Sequence, residues 1–183
     1  MIEIRWHGRG GQGAVTAAEL LAHAAINQGW YAQASPSFGP ERRGAPVLAF
    51  NRVDSEPIGI RSEVYEPDVV IVMDASLLKI VNVAEGLKDG GVVVINTRKS
   101  LNELKKEVGL KCRLAVVDAK KIAQETIGVP IVNTTMLGAA VRVIGLVDLH
   151  YVVEAVKERF GDKAGEANAQ AVIRGFNGVV IGD

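Results

Sequence analysis

Ile2-Glu3-Ile4-Arg5-Trp6-His7-Gly8-Arg9-Gly10-Gly11-Gln12-Gly13, continued by the small-residue run 14–28 and closed by Gly29, sets the architecture of the chain. Ile2 to Trp6 reads as a short strand, the glycines as a turn, and Ala14 to Gln28 as a helix that Gly29 stops. Outward from there, Tyr31 to Ala34 is the next strand. Ser35 to Pro46 follows as a loop holding three of the six prolines and both arginines of Glu41-Arg42-Arg43-Gly44. A loop of that length suggests a purpose. Val47 to Val53 reads as a strand, and the turn Asp54-Ser55-Glu56-Pro57 predicts that Ile58 to Ile60 return antiparallel to it.

Beyond Pro67, Val69 to Met73 is apolar and largely β-branched, as in a strand covered on both faces. Asp74 then leads into an expected helix over 75–87. Val92 to Ile95 repeats the strand pattern. Ser100 with Glu103 is a capping box for a helix to about Val108, with Gly109 as its stop. Leu114 to Val117 is another strand, and Asp118 caps a helix to Thr126 that Gly128 and Pro130 end. The last third is helical: Thr134 to Ile144, Asp148 to Phe160, and roughly Ala164 to Val180. The first of these is apolar around nearly its whole circumference, so it is buried in the domain or in an interface. The alternation predicts a three-layer α/β/α, Rossmann-like domain spanning 1–183. It would have a mainly parallel sheet, an antiparallel hairpin element and a helical C-terminal third.

At 183 residues and 48% hydrophobic, the chain can bury a full core. Twenty-one basic residues balance twenty-one acidic ones. No general attraction to nucleic acid or membrane follows, and any anion site must be local. The single cysteine, Cys112, can neither form an internal disulfide nor supply the roughly four thiolates an iron–sulfur cluster needs. Without a signal-peptide pattern or an apolar run of about 18 residues, the expected setting is the cytoplasm.

Gly8, Gly10 and Gly13 have the G-x-G-x-x-G spacing between a strand and a helix, where a pyrophosphate meets backbone N–H groups. With Gly11 and Gln12 they form a candidate anion site, and Arg42 and Arg43 are candidate clamps for a phosphate, a carboxylate or an acidic partner. The segment Tyr31 to Ser35 lacks the acidic residue a plain NAD site wants. Ala14-Val15 stand where a Walker loop needs Lys and Ser/Thr. A ligand-free tight turn and a subunit interface remain alternatives for the loop, as a solvated pair does for the arginines. His7 lies beside the loop as a candidate base or anion ligand, with packing as its ordinary explanation. Asp74, Asn96 and Asn133 sit near strand ends, where open α/β sheets gather ligand groups but where caps are also common. His23 and His150 sit on expected helices and are assigned no function, and Cys112 reads as a structural thiol. No metal-ligand spacing, nucleophile elbow or triad is present, so neither a catalytic residue nor a metal ligand is assigned.

Two blocks carry a resemblance. Ile4 to Gly13 followed by Ser37-Phe38-Gly39-Pro40-Glu41-Arg42-Arg43-Gly44 resembles the gamma subunit of pyruvate:ferredoxin oxidoreductase and its 2-oxoacid relatives. The segments Asp68 to Asp74 and Asn133-Thr134-Thr135-Met136-Leu137-Gly138-Ala139-Ala140 extend it over nearly the whole chain. The resemblance implies a hetero-oligomeric enzyme that decarboxylates a 2-oxoacid, transfers the acyl group to coenzyme A and passes electrons to ferredoxin. It places thiamine diphosphate and iron–sulfur clusters on alpha, beta and delta-type partner subunits, with no cofactor on this chain. It further implies an assembly and active-site-shaping role, with Gly8 to Gly13 and Arg42-Arg43 facing coenzyme A phosphates or a neighbouring subunit. Surfaces such as the apolar Met136 to Ile144 helix are expected to hold the assembly. A free-standing NADP- or nucleotide-binding module and a ligand-free adaptor are the competing readings.

Overall fold

A computed structural model of the chain describes residues 1–37, 39–40 and 42–183. The elements run β1 (Ile2–Arg9), α1 (Ala14–Gln28), β2 (Tyr31–Pro36), β3 (Pro46–Asp54), β4 (Val69–Val72), β5 (Val92–Asn96), α2 (Leu101–Val108), β6 (Arg113–Val117), α3 (Ala119–Thr126), α4 (Asn133–Ile144), α5 (Leu149–Phe160), α6 (Asp162–Gly178) and β7 (Val180–Ile181). These strands join one sheet in the order β2-β3-β1-β4-β5-β6-β7. The central β1, β4, β5 and β6 are parallel, and β2, β3 and β7 pair antiparallel at the two ends. The expected α/β architecture with a mainly parallel sheet is therefore present.

Side chains alternate across the sheet and divide the core in two. Ile4, Trp6, Val69, Ile71, Val92, Val94, Ala115 and Val117 pack under α1, α4, α5 and α6. Val70, Val72, Val93, Ile95, Leu114 and Val116 face the other way, onto Leu104 of α2 and Val83. The first face depends on close helix contact. A Cβ at Gly138 of α4 would collide with the Val172 carbonyl of α6, and one at Gly175 of α6 with the Thr135 carbonyl of α4. Residues 133–141 of α4 are consequently all buried within the chain. The interface expected of Met136 to Ile144 is corrected over Met136 to Val141, whose apolar circumference fills the chain's own core, while Arg142 is exposed and Val143 and Ile144 are half-buried.

On the second face, none of these helices lies over β1 and β3. Two buried arginines fix irregular segments there instead. Arg52 donates to Glu3 Oε2 and to the Ser62 and Glu63 carbonyls at 3.0, 2.7 and 3.1 Å. Arg5 donates from Nη2 to the carbonyls of Val83 and Glu85 at 2.9 and 2.6 Å. The Arg5 bond claims the Val83 carbonyl, which a helix over 75–87 would use internally, and only a 3₁₀ turn over Ala75–Lys79 forms. The antiparallel hairpin return of Ile58 to Ile60 also fails. Both edges of β3 are taken, by β1 and by β2, and the Ile60 carbonyl accepts from Gln33 Nε2 at 3.0 Å. The antiparallel element is β2–β3.

Several local expectations hold. The Ser100–Glu103 capping box forms, Asp118 accepts from the Lys121 N–H at 3.1 Å, and Gly29 ends α1 in the left-handed region. Asp148 is the residue before α5 but makes no side-chain cap bond, and the C-terminal helix stops at Gly178, short of the added strand β7.

Candidate functional site

The crevice at the carboxyl ends of the parallel strands opens where the chain leaves β1 toward β2–β3 and leaves β4 toward β5–β6, the place where open α/β sheets hold ligands. β1 continues past its expected end at Trp6, through Gly8, which pairs with Val47, to Arg9. Gly8 therefore lies inside the strand, and the turn proper is residues 10–13.

Gly10 and Arg43 form a parallel bridge. Gly10 N–H donates to the Ala45 carbonyl at 2.8 Å, and Gly44 N–H to the Gly10 carbonyl at 3.0 Å. A Cβ at Gly10 would overlap the Arg42 carbonyl, so this close approach requires glycine. The structure thus brings together the glycine turn and the Arg42-Arg43 segment, which are far apart in sequence. Both arginines are exposed, and neither pairs with a carboxylate among the described residues. Phe38 and Glu41 of the same block lie outside the described residues.

The turn is also latched to the end of β4. Arg9 Nε lies 3.3 Å from Asp74 Oδ2, Gln12 Nε2 donates to that oxygen at 3.0 Å, and Arg9 Nη2 donates to Ser76 Oγ at 2.8 Å. Gln12 Oε1 accepts from Arg9 N–H at 2.7 Å. Burial alone would raise the pKa of Asp74. Hydrogen bonds from Ser76 and Gln12, with the charge of Arg9, outweigh that and hold it below its ordinary value. Asp74 is an ionised latch, and its charge is offset by Arg9.

Gly13 precedes α1 with φ +83°, and no side chain among the described residues caps this helix end. Asn133 Nδ2 would lie 2.5 Å from a Cβ at Gly13, so Asn133 packs on the turn. Asn96 ties the sheet to α3, donating to the Met73 carbonyl at 3.1 Å and accepting from Ala119 N–H at 3.0 Å. A cleft of about 370 Å³ lies over these groups, lined by Gly11, Gln12, Asp74, Asn96 and Lys120. Ala75, Asn96 and Lys120 also line a larger groove of about 990 Å³, which carries Arg98, Lys99 and Lys121. Sequence reasoning missed Arg98, Lys99, Lys120 and Lys121. Each stands within a few residues of the end of β5 or β6, which is the signal that would have found them. Glu103 and Asp118 line the groove too and Lys99 pairs with Glu107, so the uncapped helix end with Lys120 is the part that suits a phosphorylated ligand.

Other candidates leave the site. His7 faces the side of the sheet opposite α1, where burial and the neighbouring Arg5 charge lower its pKa to about 3. His23 is exposed, 3.5 Å from Glu158, and His150 stacks beside Tyr151. Burial pushes the Cys112 thiol up, which keeps it protonated. The NAD-type reading weakens further, because antiparallel β3 occupies the place beside β1 that a Rossmann domain gives to a parallel second strand.

Residues 3–178 match the family described as pyruvate ferredoxin/flavodoxin oxidoreductase. The chain is 57% identical to the pyruvate/ketoisovalerate oxidoreductases common subunit gamma of Thermococcus kodakarensis, over 99% of this chain and 98% of that one. It is 52% identical to the pyruvate synthase subunit PorC of Methanocaldococcus jannaschii, over 97% and 96%. The crystal structure of pyruvate oxidoreductase subunit PORC from Thermotoga maritima superimposes with a TM-score of 0.89 at 41% identity, covering 100% of this chain and 98% of that one. The chain belongs to the pyruvate ferredoxin/flavodoxin oxidoreductase family.

Proposed function

We propose that this chain is the gamma-type subunit of a multi-subunit pyruvate or related 2-oxoacid:ferredoxin oxidoreductase, and that it supplies part of the coenzyme A site. The full-length likeness to gamma-type subunits carries the first part of this reading. The joining of the glycine turn to the Arg42-Arg43 segment, beside an uncapped helix end and Lys120, supports the second. Coenzyme A is a polyanion at its nucleotide end. Two exposed arginines and a helix N-terminus offer charge-assisted bonds to its phosphates. Arg9 and Gln12, tied to Asp74, hold the turn in place for that contact.

In this reading thiamine diphosphate and the iron–sulfur clusters sit on alpha, beta and delta-type partner subunits in the cytoplasm, and electrons leave through the complex to ferredoxin. A single cysteine is too few for a cluster on this chain. The test is purification of the native complex through a tag on this chain, under anaerobic conditions. The assay is 2-oxoacid- and coenzyme A-dependent reduction of a viologen. Activity with co-purifying thiamine- and cluster-bearing subunits supports the reading; a chain that remains alone and inactive overturns it.

A further inference from the structure

We propose that the cavity over Arg5 and His7 is a binding site for a small aliphatic monocarboxylate. It lies on the second sheet face, beside β1 and β3, and has a volume of about 490 Å³. Its floor follows from strand register: Arg5 pairs with Phe50 and His7 with Leu48, so all four side chains share one face. Val47, Val64, Leu77 and Val81 add an apolar wall, and Ser37, Tyr65 and Asn82 add polar groups to the rest of the lining.

Two largely buried side chains here present donors that have no partner among the described residues. Arg5 and His7 are only 7% and 4% exposed. Of the five N–H groups of Arg5, Nε donates to His7 Nε2 at 3.0 Å, and two bonds from Nη2 hold the Val83 and Glu85 carbonyls. The two N–H groups of Nη1 bond to no described residue. Accepting at Nε2 leaves the His7 proton on Nδ1, which likewise donates to no described residue. The geometry therefore offers a largely buried cation and a neutral donor to one cavity; among the described residues Arg5 makes no ion pair, and the Glu85 carboxylate acts on its charge from nearby. A carboxylate fits this set. Glu63 and Glu85 also line the cavity, which disfavours a multiply charged anion such as phosphate. The wall formed by Val47, Leu48, Val64 and Val81 suits a short aliphatic chain. This inference does not rest on the proposed oxidoreductase role.

The experiment titrates the full chain, labelled with ¹⁵N-histidine, with butanoate at about pH 7.5, where His7 is neutral. Inorganic phosphate serves as the control. A saturable shift of the His7 Nδ1 resonance is expected with butanoate and not with phosphate. Arg5→Met should weaken binding at least roughly tenfold. Because Arg5 also holds two loop carbonyls, Val81→Trp provides a second variant that fills the cavity and leaves both donors in place; it should abolish the shift. No saturable shift, an equal response to phosphate, or an unchanged response in Val81→Trp would overturn the proposal. So would exclusion of butanoate from the assembled complex, which would assign the cavity to a partner chain.

Discussion

Replacing Gly10 with alanine tests the connection between the glycine turn and the arginine segment. The added Cβ overlaps the Arg42 carbonyl, and that segment is exposed, so it moves away rather than absorbing the overlap as strain. Displacement breaks the bonds from Gly10 N–H to Ala45 and from Gly44 N–H to Gly10. At about 1 kcal/mol each, the loss of stability is about 2 kcal/mol. Gly59→Ala is the control, because a Cβ there meets nothing within 4 Å; it should change stability by less than about 0.5 kcal/mol. Urea unfolding of both variants, read by far-ultraviolet circular dichroism at constant m, gives the comparison. If Gly10→Ala were as stable as Gly59→Ala, the close approach would not hold the two segments together.

Asn51 accepts from the Trp6 indole at 2.8 Å and donates to the Ala18 and Gln33 carbonyls, so Asn51→Ala strands buried polar groups and should destabilise by about 3 kcal/mol in chemical denaturation. Gly175→Leu should push α6 off the Thr135 carbonyl of α4, and a drop in melting temperature larger than that of Gly10→Ala is expected by calorimetry. Burial, with the charge of Arg5, depresses the pKa of His7 from its ordinary 6.5 to about 3, so the unfolded chain takes up a proton first as pH falls through about 6.5. Native stability should then decline by up to about 1.4 kcal/mol per pH unit toward about pH 3, and His7→Gln should flatten that slope in unfolding titrations.

The strand–turn–helix start, the parallel centre of the sheet and most helix ends were legible because their signals are local: β-branched runs, a capping box and terminal glycines. The absent helix over 75–87 was not, since Arg5 captures the Val83 carbonyl from a strand 78 residues away in sequence. The failed return of Ile58 to Ile60 has the same origin, as β2 already holds the edge of β3. Within the site, the glycine turn and the arginines were visible as motifs. Their mutual bridge, Lys120 of the cleft and Lys121 of the adjoining groove depend on how the strand ends converge. His7 shows the reverse case. Adjacent to Gly8 in sequence, it points to the other side of the sheet because strand alternation continues through it.

Steady-state kinetics of the complex carrying Arg42→Ala and Arg43→Ala in this chain decide whether its arginine segment meets coenzyme A. Loss of two charge-assisted phosphate contacts should raise KM for coenzyme A by about tenfold or more, corresponding to about 1.4 kcal/mol, with KM for the 2-oxoacid unchanged. An unchanged KM for coenzyme A in an intact, active complex would contradict the assignment of this surface to coenzyme A.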